Sequence, residues 1–184
     1  MIWLRRYDII IMGVNMNINK DLKLRLLQDR EADYKNLEKW YQDKDVYLNF
    51  EQRILDYNEI VNKYKSRTEK DSDVIVYIIS YLDKDIGIIQ YKRVNIDKYN
   101  NAYELDIFIG SDNSRNKGIG TLVINFMSDY LLNNKSDVII MSPLSSNKKA
   151  IRCYEKAGFK FVKNYYDKDT IGNNKEYSLM IKGR

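Results

Sequence analysis

The spacing of apolar residues changes along the chain, and each change predicts a different element. Apolar and polar side chains alternate over residues 22–27, as in a half-buried strand. Asp29 is a suitable N-cap for a helix that runs to Trp40. The apolar stripe of a second helix is formed by Ile54, Tyr57, Val61 and Tyr64. The first part of the chain therefore predicts one strand and two helices.

The middle of the chain is rich in β-branched and aromatic residues. Three such runs, residues 73–82, 86–96 and 102–110, are separated by short polar turns and predict three consecutive antiparallel strands. From Ile119 to Leu131 the apolar residues recur at helical spacing, which predicts a long helix.

The last part of the chain completes a mixed sheet. Residues 137–144 form a continuous apolar run, typical of a strand buried on both faces in a parallel pairing. A helix over residues 147–157 should end at Gly158 as its C′ residue, and strands near residues 160–166 and 176–182 follow. The predicted order is β α α β β β α β α β β, an α/β (α+β) class with a mostly antiparallel central sheet flanked by helices.

Length and composition fit one globular domain. The chain has 184 residues, 44% of them apolar, with one proline and one cysteine, Cys153. A lone cysteine is typical of a reducing compartment, so we expect a cytoplasmic protein. We expect the domain to span residues 16–184 and residues 1–15, which include Trp3, to be an upstream extension.

The absence of histidine restricts the chemistry. It excludes Ser-His-Asp and Cys-His sites and His-containing zinc sites, so we expect no metal, and proton transfer must use a carboxylate, tyrosine, lysine or water. The net charge of +5 raises the possibility of a nucleic-acid partner. The charges are interspersed, however, and no nucleic-acid signature is present, so we expect neither a nucleic-acid nor a membrane partner.

Three features carry candidate chemistry. Gly118 and Gly120 precede the long helix and would form either an anion site at its first turn or a tight turn with good packing. Glu104 and Asp106 lie two apart on a strand, so both side chains project from one face. They would act either as salt-bridge partners of Lys92 or Arg93, or as a general base or a counter-charge for a cationic substrate. Tyr154 is either a core aromatic residue or a hydroxyl donor.

Together these residues resemble the GCN5-related N-acetyltransferases (GNAT). Residues 115–120, RNKGIG, match the Arg/Gln-x-x-Gly-x-Gly/Ala signature of that family. The residues that match its second signature are Asn147, Ala150, Tyr154, Gly158 and Phe159. Both signatures, separated by a strand, are specific, and the predicted order of elements is that of the GNAT fold.

Within the family, residues 16–182 resemble bacterial aminoglycoside 6′-N-acetyltransferases. The resemblance is carried by Trp40 with Asp43 and Val46, and by residues 86–87, 90–91, 106–110 and 150–156. One departure is Ser142, which stands where those enzymes usually have an aspartate before the proline.

The resemblance implies direct acetyl transfer from acetyl-CoA to a cationic primary amine, foremost the 6′-amine of an aminoglycoside. It implies that Asp106 is the base, with Glu104 as second choice, and that Tyr154 assists the leaving thiolate. The acceptor would contact Trp40, Asp106 and Ser142, although Trp40 is equally expected in the core. The implied cofactor-binding residues are Ile107, Phe108, Ile109, Arg115, Asn116, Lys117, Gly118, Ile119, Gly120, Thr121, Asn147 and Tyr154.

Other functions remain open. A polyamine or a protein N-terminus could be the acceptor, and a non-catalytic acyl-CoA-binding module is an alternative from a different class. Cys153 is expected to pack rather than react, because no histidine can activate it. A monomer and a homodimer are both compatible with the sequence.

Overall fold

In the computed structural model, which describes residues 15–183, eight strands form one sheet flanked by helices. The strands are β1 Met16–Asn17, β2 Leu22–Leu26, β3 Val74–Tyr81, β4 Lys84–Ile96, β5 Tyr99–Ile109, β6 Val138–Met141, β7 Lys160–Lys168 and β8 Asn174–Gly183. The helices are α1 Glu31–Tyr41, α2 Lys44–Tyr47, α3 Tyr57–Lys65, α4 Ile119–Asn134 and α5 Lys148–Lys156.

The expected extension, with Trp3, lies outside the described residues except for Asn15. Within the described range, no helix is long and apolar enough to cross a bilayer.

The predicted order of elements and the mixed, mostly antiparallel sheet are confirmed, with β1 and α2 added. Both additions are too short to produce a periodic pattern. The predicted N-cap of α1 is wrong, because Arg30 holds that position and no side chain caps the helix. The Asp29 carboxylate instead accepts a hydrogen bond from the Tyr34 hydroxyl at 2.8 Å. Ile54 precedes α3 and is 49% exposed, so it does not belong to the buried stripe of that helix.

The sheet has the strand order β1-β2-β3-β4-β5-β6-β8-β7. Its neighbours pair antiparallel except β5 and β6, which pair in parallel. All four residues of β6 are buried, in agreement with the continuous apolar run in its sequence.

Alternate residues of the central strands face two separate cores. On one face, Ile78, Ile88 and Phe108 pack with α1 and α3. On the other face, Ile79 and Ile89 pack with α4 and α5. The sheet is thus covered on both sides, as its β-branched strands require.

The parallel pairing of β5 and β6 ends halfway along β5. The last β5 residue in register with β6 is Glu104, opposite Ile140, whereas pairing with β4 continues to Ile109. The second half of β5 therefore has a free edge that presents unpaired main-chain groups. A gap opens between the two strands at this point.

The C-terminus of α5 has the predicted glycine cap. Gly158 has φ +85°, and its N–H donates to the Glu155 carbonyl at 3.0 Å. The Phe159 N–H donates to the Tyr154 carbonyl at 3.0 Å, which completes a Schellman motif. This cap fixes the turn of α5 that carries Tyr154.

Candidate active site

A cleft of about 1180 Å³ passes through the gap between β5 and β6. Its walls come from β5, the start of α4, one side of α5 along its whole length and the β7–β8 hairpin. Of the residues expected to bind the cofactor, Lys117 and Ile119 do not line it, and Ile119 is buried in the core. The expected residues that line the cleft are Ile107, Phe108, Ile109, Arg115, Asn116, Gly118, Gly120, Thr121, Asn147 and Tyr154.

The first turn of α4 opens into this cleft. Gly118 is its N-cap with φ +77°, a left-handed conformation that favours glycine, and no side chain caps the helix. In α5, by contrast, the Asn147 side chain accepts a hydrogen bond from the Ala150 N–H at 3.1 Å. The N–H groups at the start of α4 remain available to an anion, and the helix dipole favours one there.

Arg115 is bound inside the protein rather than directed at the start of α4. Its guanidinium pairs with Asp43 at 2.9 Å and donates to the carbonyls of Ile109 at 2.8 Å and Gly110 at 3.1 Å. Much of the positive charge of Arg115, one of the expected cofactor-binding residues, is therefore balanced by Asp43. This pairing joins residues far apart in the chain, so the local sequence motif does not reveal it.

A group of positive charges on α5 was not predicted from the sequence. The residues that line the cleft from this helix are Lys148, Lys149, Arg152 and Lys156. Their helical spacing was a usable signal, because residues four apart share one face. They are placed to attract the phosphates of a nucleotide-bearing ligand.

The free edge of β5 offers main-chain groups at alternate residues. Gly110 donates to the Ile86 carbonyl at 2.7 Å, on the side of β4. Since main-chain groups alternate between the two edges of a strand, those of Ile107 and Ile109 face the gap and those of Phe108 face β4. The Ile109 carbonyl already accepts a hydrogen bond from Arg115, so the free carbonyl at this edge is that of Ile107. The main chain of Phe108 is therefore turned away from the expected cofactor, and its side chain packs in the core.

The two predicted carboxylates lie on one face of β5, but their surroundings differ. Glu104 pairs with Lys92 at 3.0 Å, which is the structural role that the sequence left open. Arg93, the other suggested partner, donates to the main-chain carbonyl of Asn100 and the side chain of Asn101.

Asp106 has no ion pair with a cation in the described part of the chain. Its Oδ2 accepts a hydrogen bond from Gln90 Nε2 at 3.0 Å. Burial, followed by the nearby charge of Glu104, raises the pKa of Asp106 above its ordinary value. A carboxyl group in this state can accept a proton more readily than an exposed aspartate.

Tyr154 reaches the cleft from α5 and is 8% exposed. Burial, with the nearby Asp106 charge added, raises the pKa of its hydroxyl well above the ordinary value. Tyr154 is therefore protonated at neutral pH and can act as a hydrogen-bond donor.

Trp40 lies in the core, one of the two positions that the sequence left open, and not in the cleft wall. It is 3% exposed and packs against Phe108, with ring centroids 6.1 Å apart, and over Gly110. A Cβ atom at Gly110 would lie 2.1 Å from the indole, so the glycine makes room for it. Ser142 does line the cleft and hydrogen-bonds Tyr165.

Cys153 is half-buried at the contact between α4 and α5. Its Sγ lies 3.2 Å from the Thr121 hydroxyl, and burial raises the pKa of the thiol. A neutral thiol is a poor nucleophile, in agreement with a packing role.

The β7–β8 hairpin closes one end of the cleft. The Thr170 hydroxyl donates to the Glu51 carbonyl, and the Glu51 carboxylate pairs with Lys63 of α3. Glu51 and Thr170 are 119 residues apart in sequence, so no local pattern signals this contact.

Residues 29–166 match the model of a family described as an acetyltransferase (GNAT) domain. The fold is similar to the aminoglycoside acetyltransferase AAC(6′)-Ib in complex with coenzyme A and kanamycin, with a TM-score of 0.72, 22% identity and coverage of 89% of this chain and 95% of that one.

Two further solved structures have similar folds. One is spermidine N-acetyltransferase from Vibrio cholerae with CoA and spermine, with a TM-score of 0.73, 20% identity and coverage of 90% and 96% of the two chains. The other is RimL, a ribosomal L7/L12 α-N-protein acetyltransferase with coenzyme A, with a TM-score of 0.76, 11% identity and coverage of 92% and 98%.

Proposed function

The chain belongs to the GNAT acetyltransferase family and is an acetyl-CoA-dependent N-acetyltransferase, and on that premise we propose that its acceptor is a small cationic amine, foremost the 6′-amine of an aminoglycoside. The observation that carries the proposal is Asp106, a carboxylate without a cationic side-chain partner among the described residues, placed where β5 and β6 separate.

The described residues fit the cosubstrate. The uncapped first turn of α4 suits a diphosphate, the free edge of β5 at Ile107 suits an extended chain, and the basic face of α5 suits further phosphate. When bound, acetyl-CoA supplies the thioester that the acceptor amine attacks.

Asp106 makes the amine reactive. A primary amine with a pKa near 10.4 is mostly protonated at pH 7 and cannot attack a thioester. The Asp106 carboxylate binds the ammonium by charge and takes its proton, directly or through water. Its raised pKa brings it closer to that of the amine, which favours the transfer.

Tyr154 acts on the leaving group. A departing thiolate resembles cysteine, with a pKa of about 8.5, and is stabilised by a hydrogen bond from a neutral phenol. No acyl-enzyme is needed, because Cys153 is held as a neutral thiol beside Thr121.

Tyr154→Phe should lower kcat by about 10²-fold, because it removes a donor aimed at charge that develops during the reaction. The KM for acetyl-CoA should stay close to wild type, since the ring and its packing against Phe159 are retained. Steady-state thiol release measures both constants. An unchanged kcat would exclude the donor role.

Gly120→Val should weaken coenzyme A binding, whereas Gly120→Ala should be tolerated. A Cβ at Gly120 would lie 3.7 Å from Cys153 Sγ, an ordinary contact, but two further methyl groups must enter the mouth of the anion site. If one charge-assisted hydrogen bond is lost, worth about 1.5–3 kcal/mol, the Kd rises about ten- to hundredfold. Calorimetric titration with coenzyme A compares the two variants, and equal affinities would place the diphosphate elsewhere.

The shape of the acceptor end favours a small molecule over a protein terminus. The Thr170–Glu51 contact ties the β7–β8 hairpin to the segment after α2 and bounds the cleft there. Asp167 adds a further negative charge to the lining. AAC(6′)-Ib, solved with kanamycin, shares this fold, as do the spermidine and L7/L12 enzymes, so the choice of an aminoglycoside rests on the sequence resemblance. Ser142 removes one anionic contact expected in aminoglycoside 6′-N-acetyltransferases.

An acceptor screen tests the proposal. Purified protein and acetyl-CoA are incubated with kanamycin, spermidine or a short peptide, and thiol release is measured. The expected result is thiol release with kanamycin. Mass spectrometry and NMR should place the acetyl group of the product on the 6′-amine. Release with spermidine or peptide alone would assign another acceptor class, and coenzyme A binding without any release would indicate a non-catalytic module.

A further inference from the structure

Two hydrogen bonds in series connect the turn after α3 to Asp106. Arg67 Nη1 donates to Gln90 Oε1 at 2.6 Å, and Gln90 Nε2 donates to Asp106 Oδ2 at 3.0 Å. Gln90 is 7% exposed and lies directly opposite Asp106 in the β4–β5 register. The amide therefore bridges a cation and a carboxylate that do not themselves form an ion pair.

Arg67 decides which end of the Gln90 amide faces Asp106. A guanidinium has only donors, so the amide oxygen must face Arg67 and the amide nitrogen must face the carboxylate. Without Arg67 the amide is free to turn its oxygen toward Asp106. That orientation repels the carboxylate anion and accepts a hydrogen bond from the protonated acid, so it favours the form that cannot act as a base.

Arg67 is itself held in place by aromatic packing. Its guanidinium carbon lies 4.9 Å from the centroid of the Tyr64 ring, and the Tyr64 hydroxyl lies 2.6 Å from the Tyr41 hydroxyl. Both tyrosines are fully buried. Among residues 15–183, no carboxylate pairs with Arg67, so its charge is not neutralised by another side chain.

We propose that Arg67 is a positioning residue for the acetyl transfer, because it holds the Gln90 amide in the orientation that donates to Asp106 and so keeps Asp106 available to accept the amine proton. The proposal rests on the role of Asp106 as the base, stated above as the proposed function.

The groups around Asp106 include some that raise its pKa and some that lower it. Burial and Glu104 raise its pKa, whereas the Gln90 hydrogen bond, Lys92 and Arg67 lower it. Further titratable groups on the elements packed against it interact with its charge, and these are Tyr41, Lys63, Tyr64 and Tyr154. Loss of Arg67 removes its own positive charge and, with it, the Gln90 hydrogen bond to Asp106. Both keep Asp106 ionised, so turnover should require a higher pH.

The test is the pH dependence of kcat/KM for the acceptor that the screen identifies. Arg67→Met should move the acidic limb of the profile up by about one pH unit, with activity recovering at higher pH. The KM for acetyl-CoA should be unchanged. An acidic limb at the wild-type position would overturn the proposal.

A matched control separates this effect from loss of charge on the same segment. Lys65, two residues earlier, is 60% exposed and pairs with Asp29 at 3.6 Å. Lys65→Met removes the same charge and should leave the limb unmoved. An equal shift in both variants would mean that only long-range charge matters, which contradicts the proposal.

A second variant tests the path through Gln90. Gln90→Leu alone should also move the acidic limb of the pH profile to higher pH. This variant keeps the proposal testable if Arg67→Met folds poorly. In the Gln90→Leu background, Arg67→Met should cause a smaller shift than in wild type. An equal shift in both backgrounds would show that Arg67 does not act through the amide.

Failure of the proposed function gives a different result. If Asp106→Asn retains both activity and the wild-type acidic limb, the base lies elsewhere and the proposed role of Asp106 fails. If Asp106→Asn removes the limb while Arg67→Met leaves it in place, only the role of Arg67 is wrong.

Discussion

Asp106→Asn should lower kcat for amine acetylation at pH 7 by about 10²–10⁴-fold, the contribution of a positioned general base. Asparagine has nearly the same shape and can accept the Gln90 hydrogen bond through its carbonyl oxygen. It cannot take a proton or attract an ammonium by charge. The loss should therefore appear in turnover while coenzyme A binding is kept.

The stability of the same variant separates catalysis from folding. The folded-state pKa of Asp106 is raised, so the ionised group opposes folding once the pH rises above its unfolded value, near 3.9. At pH 7 Asp106→Asn should consequently be at least as stable as wild type in urea denaturation. A destabilised variant would mean that the carboxylate has a structural role.

Glu104→Gln is the matched control for Asp106→Asn. Glu104 lies on the same face of the same strand, but its charge is already paired with Lys92. The kcat of Glu104→Gln should stay much closer to wild type than the kcat of Asp106→Asn. The reverse order of effects would assign the base to Glu104.

The parts of this site that depend on local pattern could be predicted from the sequence. Glu104 and Asp106 share a face because side chains alternate along a strand, and Gly118 precedes α4 because glycine accepts its left-handed backbone. Such features can be predicted from the spacing of neighbouring residues alone. The order of helices and strands could be predicted in the same way, because the period of the apolar residues changes from one segment to the next.

The parts that depend on register could not be predicted. The difference between the two carboxylates arises from the residues opposite them on β4, Lys92 beside Glu104 and Gln90 beside Asp106. The position of Trp40 was undecided because an indole suits both a core and a cleft wall. It is settled by the contact with Gly110, which lies far away in the chain.

A second set of contacts between residues far apart in the chain involves Asp33, which is fully buried at the start of α1. Arg25 of β2 donates two hydrogen bonds to its carboxylate, each at 2.8 Å, and Arg30 donates a third at 2.8 Å. Arg25 also pairs with Asp85 at the start of β4. Asp33 thus joins the first helix to two strands of the sheet.

Asp33→Asn should lower the free energy of unfolding by about 3–5 kcal/mol, the cost of breaking a buried ion pair by removing one partner. Burial alone would raise the pKa of Asp33, but the hydrogen bonds from Arg25 and Arg30 outweigh it and lower the pKa. The lowered folded pKa means that this stabilisation is present above about pH 4 and is lost as the pH falls through the folded value. Urea denaturation should therefore show the full difference from wild type at pH 7 and a smaller one in acid. Glu31→Gln is the control. Glu31 lies in the same helical turn but forms an exposed pair with Lys35, so this variant should change stability little at either pH. An equally small effect of Asp33→Asn would contradict the role assigned to Asp33.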